Sequence, residues 1–222
     1  MTTETKAVTV RELRRKWKKY KSEFHDHPTG IRFHRACSWI QKAEQAQEAG
    51  DSDIALISKW IGLNSLYGQW DPDRSEPKPD INSWRHFFDT VRSIDQDKSL
   101  EAVLIENRKL VLAIFDDSFI MKYFWGDPSP DQARRTTSTR HKANTWFQQK
   151  RYALILETVV DRIYFLRCQI MHGAATYNSK LNRDSIRRCN VMLNHIIYCI
   201  LDIFIKHGRK HDWGAMCFRP QK

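Results

Sequence analysis

The sequence has five cysteines, Cys37, Cys168, Cys189, Cys199 and Cys217, but no CxxC pair among them. They fall mostly within apolar helical patterns, so they read as the reduced thiols of a cytoplasmic protein rather than as a disulfide framework. A glycine loop able to cradle a phosphate, a nucleophile elbow and a thiol–histidine signature are all missing, which removes the motif-bearing classes of nucleotide hydrolase and covalent hydrolase. No internal repeat is present, and no linker is long enough to prove two domains. The opening stretch MTTETKAVTVRELRRKWKKYK lacks the apolar core a signal peptide needs. No later run reads as long and uncharged enough to cross a bilayer, so a soluble protein with no membrane partner is expected. Metal ligands are sparse as well. His207, His211 and Cys217 lack a fourth ligand at tight spacing, as does the His25-Asp26-His27 run, and the adjacent carboxylates of Asp116 and Asp117 diverge on a helix. No metal and no cofactor is expected.

The remaining composition is rich and basic. Among 222 residues, 41% are hydrophobic and 28% charged, enough for one sizeable core. A net charge of +11 favours a polyanionic partner, because phosphate or acidic lipid would be attracted over a wide surface. Apolar residues recur with helical period and nowhere alternate convincingly between turns, which predicts an all-α chain. The expected elements are a basic N-terminal helix over residues 10–24, ended by HPTG, and a helix over 31–49 that stops at Gly50. Asp51 or Ser52 caps the next, in which Leu56, Trp60, Leu63 and Tyr67 line one face. Residues 71–80, with three prolines, read as a loop. Helices follow over 82–95 and 99–125, the latter broken near Asp116; then a mobile basic loop over 126–142, and helices over 145–171 and 183–206.

Inside the penultimate helix, FLRCQIMHGAAT places Arg167 on an apolar face. At about 100° of rotation per residue, the neighbours within about 60° are Leu156, Val160, Ile163, Tyr164, Ile170 and Met171, while Thr158, Asp161, Arg162 and Gln169 lie opposite. A guanidinium there keeps its proton and must find an acceptor: a carboxylate, backbone carbonyls or a bound phosphate. His172 follows five positions on, about 140° around an unbroken helix. Gly173 is suited to end the helix in a left-handed conformation, from which the imidazole can swing toward the same end of the bundle. Such a pair fits RNA cleavage by the RNA's own 2′-hydroxyl, with imidazole moving protons and arginine holding phosphate oxygens. The bland alternatives are a structural ion pair for Arg167, with Glu157 or an acid on another helix, and a backbone-bonding helix cap for His172.

With Arg167, four intervening residues, His172 and then Gly173, this segment resembles the HEPN superfamily, whose mark is an arginine four to six residues before a histidine near the end of a late helix. ISKWIGLNSLYG, residues 57–68, is similar to that family's earlier helix with its LNALY-like ending. The resemblance covers roughly residues 31–70 and 145–207. It implies an HEPN-like helical bundle and a metal-independent endoribonuclease acting on RNA. It also implies a homodimer with both motifs facing one cleft, often serving as a toxin or in antiviral defence, with an antitoxin or regulatory protein as a further partner. Arg167 and His172 would be catalytic, with Asn64, Tyr177 and Asn178 as candidate supporting or substrate contacts. Active members often carry a polar residue after the arginine, where this chain has Cys168. That difference favours the alternative the family also offers, a non-catalytic module that binds RNA, nucleotide or a partner protein.

Overall fold

The structure, a computed structural model, describes residues 9–122, 126 and 130–218. It is all-α: ten helices and one two-stranded ribbon among the described residues. Helix α1, Val10–Lys18, opens with a capping box in which Thr9 accepts from the Glu12 amide and Glu12 reaches back to the Thr9 amide. Its Val10, Leu13 and Trp17 are buried, and Trp17 stacks on Phe33 with ring centroids 4.4 Å apart. The chain kinks at Lys19 and Tyr20 and resumes as the short α2, Lys21–Phe24, so the expected single helix over 10–24 is two. HPTG starts a helix rather than ending one. His27 Nδ1 accepts from the Thr29 amide, and Pro28 takes the first helical position, where a missing N–H costs nothing.

Helix α3, Pro28–Glu48, and α4, Ser52–Tyr67, form an antiparallel hairpin about Gly50, whose φ is +77°. Asp51 caps α4 through the Ile54 amide at 3.0 Å, as its sequence position predicts. Leu56, Trp60, Leu63 and Tyr67 are all buried, as expected of a central helix. Gly62 sets how closely the hairpin packs: a Cβ there would stand 2.8 Å from Ile40 Cδ1 and 3.3 Å from the Ala36 carbonyl.

The stretch read as a loop, 71–80, is partly ordered by a ladder between β1, Trp70–Asp71, and β2, Glu76–Pro77, and Asp80 is already the first residue of α5, Asp80–Ile94. The helix expected over 99–125 breaks at Asn107 into α6, Ser99–Glu106, and α7, Arg108–Phe115, with the Asn107 side chain bonding back to the Val103 carbonyl at 2.9 Å. A 3-10 turn over Ser118–Ile120 follows. Residues 130–148, assigned mostly to a mobile basic loop, are instead helix α8, Pro130–Gln148; residues 127–129 lie outside the described residues. Tertiary contacts hold α8 in place: Ala143 and Phe147 are buried and Arg140 pairs with Asp116. Lys150, at φ +55°, then separates α8 from α9, Tyr152–Met171, where the sequence reads as continuous.

The last helix, α10, Arg183–Lys206, has the expected bounds. It is long and apolar enough to cross a membrane, contrary to the reading that no segment is, and 61% of its most apolar window is buried inside the bundle. Its Ile186, Leu193, Ile196, Ile197 and Ile200 fill the core against α4 and the helices around it.

Candidate functional site

The motif arginine lies where α9 meets α4 and α5. Tyr164, one turn before it, tilts against Trp60 of α4 with centroids 5.6 Å apart. Arg167 Nη2 stands 3.6 Å from Asp80 Oδ2, with side chains 20% and 27% exposed, so the pair is half-buried but open to solvent on one side. The other oxygen of that carboxylate, Oδ1, accepts from the Tyr67 hydroxyl at 3.1 Å and from Asn64 Nδ2 at 3.4 Å. Two residues of the LNSLY segment thus hold an acid from α5, and that acid faces the arginine of α9. Of the acceptors left open by the sequence, the structure contains the carboxylate, and Glu157 is not the one: it binds Arg85 at 3.1 Å.

The rest of the guanidinium environment is soft and neutral. Its Nη1 lies 3.8 Å from Cys168 Sγ, and its carbon lies 5.9 Å from the centroid of the Tyr164 ring. Burial, then the neighbouring Cys168 thiol and Asp80, push the Tyr164 phenol up to about 12. Burial first and Asp80 second also raise Tyr67 well above the usual phenol range. Both rings therefore stay neutral hydrogen-bonding groups at physiological pH, and Tyr67 can only donate to Asp80.

His172 closes the helix. Its amide reaches the Cys168 carbonyl at 3.0 Å, Gly173 takes φ +71°, and the Ala174 amide returns to the Gln169 carbonyl at 2.8 Å, a Schellman ending. The expected left-handed glycine is present. The backbone nevertheless stays near helical through His172, at φ −95° and ψ 12°, so the rotation of about 140° from Arg167 persists. The imidazole is exposed, and among the described residues it makes no hydrogen bond and nothing joins it to Arg167.

Of the supporting candidates, Asn64 joins Arg167 through Asp80, whereas Tyr177 and Asn178 do not reach it. The Tyr177 hydroxyl donates to Asp51 Oδ2 at 2.8 Å, tying the loop after the motif to the start of α4, and Asn178 turns that loop at φ +55°. The face opposite Arg167 is also not solvent, as its polar residues imply. Arg162 and Gln169 are buried and donate to the carbonyls of Ile120 and Phe119, at 3.2 and 2.9 Å. The most buried arginine among the described residues is Arg32, which sequence reasoning passed over. Its guanidinium donates to the carbonyls of Leu66, Gly68, Trp213, Gly214 and Ala215 at 2.7–3.4 Å, and desolvation lowers it to about 10. Asp80 was missed too, because a Pro-Asp step marks a helix start but gives no hint of a partner 87 residues away.

Among the described residues, no cluster of three or more His, Cys, Asp or Glu side chains is arranged to hold a metal ion. Asp116 pairs with Arg140, while Asp117 accepts from Ser185 and Arg188, so the two acids do serve different neighbours. No protein family matches the chain, nor does any curated protein or solved structure.

Proposed function

We propose that the chain is a metal-independent endoribonuclease of the HEPN type, in which Arg167 holds the scissile phosphate and His172 moves protons. The observation that carries this reading is the Asp80 bridge. It joins the motif arginine to Tyr67 and Asn64, so the two segments that carry the family resemblance converge on one half-exposed guanidinium. An arginine braced in this way presents its remaining N–H donors to a phosphate in a fixed direction. In the reaction a base removes the 2′-hydroxyl proton, O2′ bonds to phosphorus, the bond from phosphorus to O5′ breaks, and an acid protonates O5′. The products are a 2′,3′-cyclic phosphate and a 5′-hydroxyl. Exposed and unpartnered, His172 is free to act as that base or acid.

Because His172 and Arg167 point apart on one α9, the reading needs a second copy whose motif faces the first. Met171, just before the histidine, and Tyr177 and Leu181, in the loop after it, support such a pairing as large side chains that are all more than half exposed. Each copy would then lend its imidazole to a cleft shared by two guanidinium groups. A toxin or antiviral role, under an antitoxin or regulatory partner, follows from such an activity.

A second reading is favoured by Asp80 itself and by Cys168. A carboxylate already beside Arg167 competes with phosphate, and a thiol replaces the polar group, which suits an HEPN-like module that binds RNA, nucleotide or a partner protein without turnover. Incubating the protein with structured and unstructured RNA in EDTA separates the two. Cleavage leaving 2′,3′-cyclic ends, abolished in Arg167→Ala and His172→Ala chains that keep the wild-type melting temperature, supports the nuclease. Binding without cleavage leaves the module, and a sharp loss of thermal stability in both variants assigns the pair a structural role.

A further inference from the structure

A cleft of about 1670 Å³ lies between α1–α2 and α3, and none of Asn64, Asp80, Arg167 or His172 lines it. Its walls carry Arg11, Arg14, Arg15, Lys18 and Lys21 from one side and Arg35 from the other. Arg14 is bound to Gln41 at 2.7 Å, and Arg35 holds the carbonyls of Cys217 and Phe218. Arg11, Arg15, Lys18 and Lys21 are exposed and form no ion pair among the described residues. The two acids on the rim are otherwise engaged: Glu12 closes the capping box of α1, and Asp26 lies 3.0 Å from His25. Arg11, Arg15 and Lys18 fall at i, i+4 and i+7, one face of the helix over about 10 Å of axis. Six cationic side chains against two carboxylates leave an excess of about four positive charges around one concavity, and a polyanion in the cleft would relieve their repulsion.

The geometry points to a binding site for the backbone of single-stranded nucleic acid in this cleft. A membrane surface fits poorly, because an interfacial helix needs an outward apolar face, and the apolar residues of α1, Val10, Leu13 and Trp17, are buried against the bundle. A duplex is a convex rod, whereas a single strand can follow a groove. The cleft's aromatic residues, Trp17, Phe24 and Phe33, are buried in its floor, so bases find no stacking platform and recognition rests on phosphate charge. RNA and DNA strands of equal length are therefore expected to bind alike. This site stands apart from the motif on α9 and does not depend on cleavage there.

The test uses the full chain carrying His172→Ala, so that a fluorescein-labelled oligouridine 20-mer stays intact, with anisotropy recorded from 50 to 200 mM salt. Each cation that neutralises a phosphate of a single strand adds about 0.7 to the steepness of log affinity against log salt. Changing Arg11, Arg15 and Lys18 together to Gln should flatten that slope by about 2, and Arg11→Gln or Lys18→Gln alone by about 0.7 each. These side chains are exposed, so melting temperatures should stay at the wild-type value. Lys109→Gln, which removes an exposed cation on α7 outside the cleft, should leave the slope unchanged, and oligothymidine should behave like oligouridine. An unchanged slope in the triple variant, with every single variant also unchanged, overturns the proposal. So does binding to phosphatidylserine vesicles by a chain that ignores the oligonucleotides.

Discussion

Lys59 lies in the middle of α4 with its ammonium inside the protein, and the chain should report this as a pH-dependent cost. Its Nζ donates to Gln47 Oε1 at 3.3 Å and to the carbonyl and side-chain oxygens of Asn190 on α10 at 3.2 and 3.1 Å, with no carboxylate within ion-pair distance among the described residues. Desolvation dominates and lowers its pKa from 10.5 to about 8. The folded state therefore binds this proton less tightly than the unfolded chain does, so stability is reduced below pH 8 and recovers as pH rises from about 8 toward 10.5. That lowering corresponds to a penalty of about 3 kcal/mol at pH 7, falling to about 2 kcal/mol at pH 9. Other groups oppose the trend further up. Burial raises the Cys37 thiol to about 12, so its contribution is present below pH 9 and is lost between 9 and 12. The Lys59→Met variant isolates the lysine. Its absolute stability at pH 7 mixes relief of the charge with the lost hydrogen bonds, but the difference from wild type should shift by about 1 kcal/mol between pH 7 and 9. Urea unfolding at pH 7, 8 and 9, with slopes checked for constancy, measures it. A difference that stays flat across that range would show that the amine is not buried as a cation, and the described α4–α10 contact would be wrong.

Arg32→Met should lower stability by about 3 kcal/mol, because five carbonyls, those of Leu66 and Trp213 in buried contacts, lose their charged donor; a thermal melt within a degree or two of wild type would contradict that. Asp80→Asn keeps an oxygen for Tyr67 and Asn64 but removes the charge facing Arg167. Steady-state cleavage kinetics should then show kcat falling about tenfold with no rise in KM, as for a guanidinium that has lost its brace. Equal kcat would make Asp80 a bystander. Gly62→Ala should cost about 1–3 kcal/mol by driving a methyl into Ile40, and Ile40→Val in the same chain should restore part of it. Denaturant midpoints for the three chains decide this.

What was legible in the sequence was whatever periodicity and local chemistry control. The bounds of α10, the Asp51 cap, the buried stripe of α4 and the left-handed Gly173 all follow from residues within a turn or two of one another. What was lost depended on distant partners. The polar stretch of α8 is helical because Ala143 and Phe147 find the core and Arg140 finds Asp116, none of which a local window contains. The break before α9 rests on the left-handed Lys150, with no glycine or proline to announce it. The importance of Arg167 could be read from its apolar neighbours, but its acceptor could not, since Asp80 comes from a segment that reads only as the end of a loop. The same helical arithmetic that set His172 apart from Arg167 held, because the backbone does not unwind before the glycine.

The Arg32 clamp also bears on the order of events during synthesis. This guanidinium belongs to α3, yet three of its five oxygen partners, at Trp213, Gly214 and Ala215, are made some 180 residues later. Until then an arginine destined for the interior has only the end of α4 to lean on. Nascent chains should thus keep this corner wet and protease-sensitive, sealing it in a late, abrupt step once residues 213–215 arrive.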